Sequence, residues 1–236
     1  MNAYQQQQGT SATAIRWAGG TWRAQAFTIL LVAVLAVFIN GCGGLPLQSQ
    51  ASAKRTYLLQ SEATSGVSVA VDAGRCLSLR VSTPASAPGY GTARMAYTTE
   101  SLRLDYFAYH EWVDSPARMI GTMMETHLEA GGLLGAVVSG SSDIRTDLRL
   151  DSELKSLQQD FKGAGSTVGL TIKVSLVDVS SRSLVNLKTF SYTETADGAN
   201  PEAGVAAANR AMDRFLAELT VFVADSLARL QCPAKG

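Results

Sequence analysis

Residues 148–161 read LRLDSELKSLQQDF, residues 168–176 read VGLTIKVSL and residues 184–193 read LVNLKTFSYT. In the first run Leu148, Leu150 and Leu154 face one way, and Asp147, Arg149, Asp151, Glu153 and Lys155 face the other. In the second, Val168, Leu170, Ile172, Val174 and Leu176 alternate with Thr171, Lys173 and Ser175. Successive side chains of a strand point to opposite faces, so a period of two predicts half-buried strands. The breaks at residues 163–166 and 178–183 are short and rich in Gly, Ser and Asp, which suits turns. Three such runs joined in this way predict an antiparallel meander with one wet face.

An apolar sheet face must be covered, and the flanking sequence supplies two covers. Downstream, Asn200-Pro201-Glu202 opens a helix running to about Leu230, with the stripe Val205, Met212, Phe215, Leu219, Phe222 and Val223. Upstream, Ser115-Pro116 opens a helix with the stripe Ile120, Met123, Met124, His127 and Leu128. Gly131-Gly132 ends that helix. Residues 56–60, 76–82, 94–98 and 102–109 read as further strands, and residues 133–139 as a short buried one. Residues 83–91 (TPASAPGYG) read as a loop. The predicted fold class is α+β: a two-layer domain whose mainly antiparallel sheet is covered on one face by two amphipathic helices.

Residues 26–42 (AFTILLVAVLAVFINGC) carry a different message. Arg16 and Arg23 precede a 14-residue apolar core at residues 26–39, the length of a signal h-region and short of the ~20 residues of a transmembrane helix. Ile39-Asn40-Gly41-Cys42 has the order of a lipoprotein cleavage site, with a small residue beside the cysteine that would be acylated. The expected organisation is a signal peptide at 1–41, a flexible tether at 42–54 from lipidated Cys42, and a domain at 55–236. Acyl chains contribute about 0.8 kcal/mol per buried CH2, so two or three hold a protein firmly to a bilayer. Gly43 is not the Asp of an inner-membrane retention signal, so the outer membrane, facing the periplasm, is the expected location.

Removing residues 1–41 from 236 leaves 195, enough for one domain with a substantial core. Arg16 and Arg23 leave with the signal and no acidic residue does, so 18 basic residues face 20 acidic ones. That balance argues against a nucleic-acid partner. With Cys42 lipidated, Cys76 and Cys232 remain, and an oxidising compartment favours a bridge between them. It would contribute about 5 kcal/mol in the loop-entropy model. Two buried thiols are the alternative, because sequence says nothing of the ~7 Å Cα separation that a bridge requires.

A search for chemistry finds little. Neither His110 nor His127 belongs to an HExxH pair, and no metal or cofactor site is predicted. His127 lies on an apolar helix stripe and reads as a hydrogen-bonded core histidine. Residues 163–167 (GAGST) lack the lysine of a phosphate loop and read as a β-turn; no serine sits in G-x-S-x-G. Tyr106, Phe107, Tyr109 and Trp112 form an aromatic cluster. Alternation places Tyr106 on one face of a strand and Phe107 and Tyr109 on the other. The cluster reads either as a contact surface for a partner or lipid, or as sheet packing.

Tyr57-Leu58-Leu59, Met95-Ala96-Tyr97, residues 102–112 (LRLDYFAYHEW), the helix ending in residues 128–133 (LEAGGL), residues 148–161 and residues 187–192 (LKTFSY) follow one another in a recognisable order. This order resembles the ABC-type transport auxiliary lipoproteins, PqiC-like outer-membrane components of MCE-type lipid or sterol transport systems. The resemblance implies a non-enzymatic component that docks a periplasmic MCE-domain protein served by an ABC permease and ATPase, with a homo-oligomeric ring as one form it can take. It transfers no catalytic residue. The alternative role is an assembly or pilot lipoprotein for another envelope machine.

Overall fold

The computed structural model describes residues 53–62, 75–163, 165–230 and 232. Cys42, the signal and most of the tether lie outside them. The strands are β1 (Arg55–Tyr57), β2 (Ser78–Val81), β3 (Ala85–Ser86), β4 (Arg94–Thr98), β5 (Asp105–Trp112), β6 (Ala136–Ser139), β7 (Leu148–Asp160), β8 (Ser166–Asp178) and β9 (Ser183–Ala196). The helices are α1 (Pro116–Gly131) and α2 (Pro201–Leu227). All nine strands join one sheet, and both helices pack on the same face of it, so the α+β reading holds.

The meander forms as the alternation requires. β7 pairs with β8 and β8 with β9, both antiparallel over nearly their full length. Leu148, Leu150, Leu154, Val168, Leu170, Ile172, Val174 and Leu176 are buried under the helices. The opposite face carries Arg149, Glu153, Lys155 and Lys173 and stays wet. One feature of β7 escapes a simple period: the register slips between Leu154 and Ser156. A bulge of this kind moves the apolar phase by one residue, so Leu157 and Gln159 follow Leu154 into the interior.

The second edge of β7 is shared by three short parallel partners. β2 meets its start (Leu79↔Leu148), β3 its middle (Ala85↔Glu153) and β4 its end (Ala96↔Gln158). β6 then pairs parallel with β2, and β5 joins β4 antiparallel with β1 parallel beyond it. Several expectations change here. The 83–91 loop contains β3, because Ala87 N–H also reaches the Leu154 carbonyl and draws the segment onto β7. Only residues 136–139 of the 133–139 run form a strand, and it is half-exposed at an edge; Leu133 and Leu134 are buried just before it. β5 starts later than expected and runs to Trp112.

α1 begins at Pro116, but the Ser115 side chain makes no capping hydrogen bond; Asp114 Oδ1 takes the Ser115 N–H instead. Gly132, at φ 62°, closes the helix in the left-handed conformation that glycine adopts without strain. In α2 the Asn200 side chain does cap, accepting from Ala203 N–H at 2.8 Å. Phe215 and Phe222 of α2 meet Phe190 of β9 edge-on, with centroids 5.3 and 5.9 Å apart. Burying each such ring contributes on the order of 2–3 kcal/mol. Met123 and Val205 are only partly buried at the margins of their stripes.

Candidate functional site

The aromatic residues of β5 separate into distinct environments. Trp112 is a core residue at 5 % exposure. Phe107 packs against Tyr97 at 4.5 Å between centroids and edge-on to Phe161 and His110. Tyr106 lies beneath the Arg94 guanidinium and donates to the Gly89 carbonyl at 2.9 Å. Tyr109 is exposed. The register between β4 and β5 jumps from Arg94↔Glu111 to Ala96↔Tyr106, so β5 carries extra residues that break the simple alternation. The four rings therefore do not converge on one surface.

A cluster not foreseen from the sequence ties β1 to the first turn of α2. Tyr57 O–H donates to Glu202 Oε1 at 2.7 Å, and His110 Nδ1 lies 2.9 Å from the same hydroxyl. With the Tyr57 proton given to Glu202, His110 supplies its Nδ1–H to the phenol oxygen. Arg55 pairs with the same carboxylate at 2.9 Å. The Tyr57 hydrogen bond, foremost, holds the Glu202 carboxyl below its ordinary range. Burial, and then Glu202, raises Tyr57. A concavity of about 350 Å³ opens beside the cluster, lined by Arg55, Tyr109, His110 and Glu202. Arg55 and Tyr57 are neighbours on β1, but His110 and Glu202 lie about 50 to 150 residues further along the chain, so no local motif announces the cluster.

A second concavity, of about 450 Å³, lies between α1 and the ends of β2 and β6. Two glycines set its walls: a Cβ at Gly121 would stand 2.7 Å from the Pro84 ring, and one at Gly140 would stand 2.8 Å from Thr83 N. Its lining is polar, with the Asp114–Arg118 pair at 3.2 Å, Glu125, Thr122 and the Ser139–Ser141 hydroxyl pair at 3.0 Å. Ser82 there donates to Asp151 Oδ1 at 2.7 Å, and Thr122 to the Arg118 carbonyl at 3.2 Å. Such groups suit polar recognition.

His127 is buried, with Nε2 2.9 Å from Thr220 Oγ1, in the core role read from its stripe. Cys76 and Cys232 are bonded through their sulfurs, with Cα atoms 5.8 Å apart. Among the described residues, no group of three or more His, Cys, Asp and Glu is placed to hold a metal ion. No described helix is long and apolar enough to cross a membrane.

These features describe a two-layer α+β domain whose conspicuous surfaces suit contact. The chain belongs to the family of ABC-type transport auxiliary lipoprotein components, whose model matches residues 57–220. It is accordingly a non-enzymatic auxiliary lipoprotein of an envelope transport system. The fold is also that of a crystal structure of a Xanthomonas campestris protein, at 17 % identity and TM-score 0.65, covering 74 % of this chain and 98 % of that one. A second crystal structure, of an uncharacterized protein, matches at 13 % identity and TM-score 0.57, over 72 % and 99 % of the two chains. No curated protein matches the sequence.

Proposed function

We propose that this protein is the lipid-anchored end of an MCE-type ABC transport system that moves lipids or other hydrophobic molecules across the cell envelope. Cys42 carries the acyl chains, residues 42–54 are the tether, and the domain that follows docks the periplasmic MCE assembly at the outer membrane. ATP is hydrolysed by a separate chain of the system. The observation that carries this reading is the family match over residues 57–220. The Ile39-Asn40-Gly41-Cys42 sequence supports the anchor. The Tyr57–Glu202–Arg55 cluster fits it mechanically, since it fastens the strand that directly follows the tether to α2.

Crosslinking in intact cells, followed by affinity purification and mass spectrometry, tests the reading. Recovery of an MCE-domain protein is expected. Recovery of an outer-membrane pore protein with no MCE partner would replace it with an assembly role for another envelope machine.

A further inference from the structure

The wet face of the sheet carries a cluster of arginines. β2 and β7 run side by side there, and Arg80 and Arg149 are register partners. Arg145, just before β7, joins them around a pocket of about 110 Å³ that Thr146 and Val179 complete. Like charges set side by side on adjacent strands repel. One carboxylate answers this corner: Asp151 takes Arg149 Nε at 2.9 Å to both oxygens and Nη2 at 2.8 Å. Asp147, close by, is engaged by Ser78, whose N–H and hydroxyl donate to it at 2.8 and 2.6 Å.

Arg80 and Arg145 thus keep their charge unanswered, with no carboxylate at ion-pairing distance among the described residues. Arg80 donates through Nη2 to the Ile144 carbonyl, which holds the guanidinium in place. Its Nε is shielded from solvent and has no hydrogen-bond partner among the described residues. A guanidinium held in place, a second and exposed one without a carboxylate partner, and a small pocket that both line suit a tetrahedral oxyanion. Arginine forks bind such anions through paired N–H donors.

We propose that this corner binds a phosphoryl group, with Arg80 as the fixed contact and Arg145 as the closing one. A phospholipid headgroup and free phosphate share that chemistry. The site stands on the guanidinium geometry and does not rest on which envelope machine the chain serves.

The test uses the mature protein, purified from membranes with its anchor, in dodecyl maltoside. It is titrated calorimetrically with inorganic phosphate and, separately, with dihexanoyl phosphatidylglycerol below its micelle concentration. Saturable binding of at least one is expected, weakened about tenfold or more in Arg80→Gln and in Arg145→Gln. Arg103→Gln, paired with Asp105 outside the pocket, should bind as the wild type does. Lipid binding alone assigns a headgroup, phosphate binding alone a free anion, and binding of both a site that reads the phosphoryl group itself. No saturable binding of either probe, or equal binding by the Arg145→Gln protein, overturns the proposal. Arg145 is exposed, so its variant keeps the test sound if Arg80→Gln fails to fold. The partner pull-down and this titration can fail independently.

Discussion

The carboxamide of Gln159 occupies the space that a side chain at position 204 would need: a Cβ built on Gly204 overlaps Gln159 Oε1. Gln159 is buried at 4 % exposure and cannot simply swing away, because its Nε2 donates to Ser166 Oγ at 2.8 Å and to the Asn200 carbonyl at 3.0 Å. The contact sets how closely the first turn of α2 approaches the end of β7. Gly204→Ala should therefore destabilise the protein by about 1–2 kcal/mol, the lost hydrogen bonds outweighing a helix-propensity gain of roughly 1 kcal/mol. In a Gln159→Ala background the same change should be neutral or stabilising. Urea unfolding of the four proteins of this cycle measures the coupling, and simple additivity would contradict the contact.

His127 and Thr220 join the two helices across the core. Thr220 O–H donates to the Leu216 carbonyl at 3.2 Å, so His127 gives its Nε2–H to the threonine oxygen. His127→Leu, which keeps most of the volume, is expected to cost about 1 kcal/mol. His127→Ala, which adds a cavity, should cost about 2–4 kcal/mol. Thermal unfolding of both variants checks the order, and an alanine variant as stable as the leucine one would show that the site collapses.

The Cys76–Cys232 bond spans 156 residues of sequence. A loop of that length corresponds to about 5 kcal/mol in the chain-entropy model, and measured losses are more often about 2–5 kcal/mol. Cys76→Ser/Cys232→Ser should lower the urea midpoint accordingly. Added reductant should shift the wild type and leave the double variant unchanged.

Asp147 links the start of β7 to β2. The side-chain and backbone hydrogen bonds of Ser78 hold its carboxyl below the ordinary range. A carboxylate with a depressed folded-state pKa stabilises above its unfolded pKa and loses that contribution as pH falls through the folded value. Asp147→Asn should cost up to about 1 kcal/mol at neutral pH, since solvent screens much of the interaction. The gap between variant and wild type should close at acid pH. A gap independent of pH would assign the loss to packing.

Cys42→Ser should leave an unprocessed precursor without acyl chains. In cells, metabolic labelling with a palmitate analogue should mark the wild type and not this variant. Labelling of both would place the acylation elsewhere.

The meander was readable because its faces differ in chemistry residue by residue: Leu148, Leu150 and Ile172 alternate with charged or polar neighbours, and burial follows that period. Both helices were readable from their stripes and from the Pro that opens each, and α1 also from the Gly that closes it. Less was legible where geometry, and not side-chain type, sets the outcome. Ala85 and Ser86 carry no strand pattern, yet the open middle of β7 draws them into the sheet. Alternation divided the aromatic run of β5 between two faces and left contact surface and sheet packing both open; extra residues in its register with β4 give Tyr106, Phe107, Tyr109 and Trp112 their separate surroundings. Gln159 is turned inward by the bulge after Leu154, a slip of register that no local pattern marks.

By itself the sequence determined the class of fold, the order of its main elements and the signature of a lipid anchor, because period, caps and apolar runs are local properties. Tertiary structure alone decided how the second edge of β7 is shared among three strands. It also brought Arg80 beside Arg149 and Tyr57 to Glu202. Those residues are distant along the chain, and which of them meet depends on register and bulges that no single segment encodes.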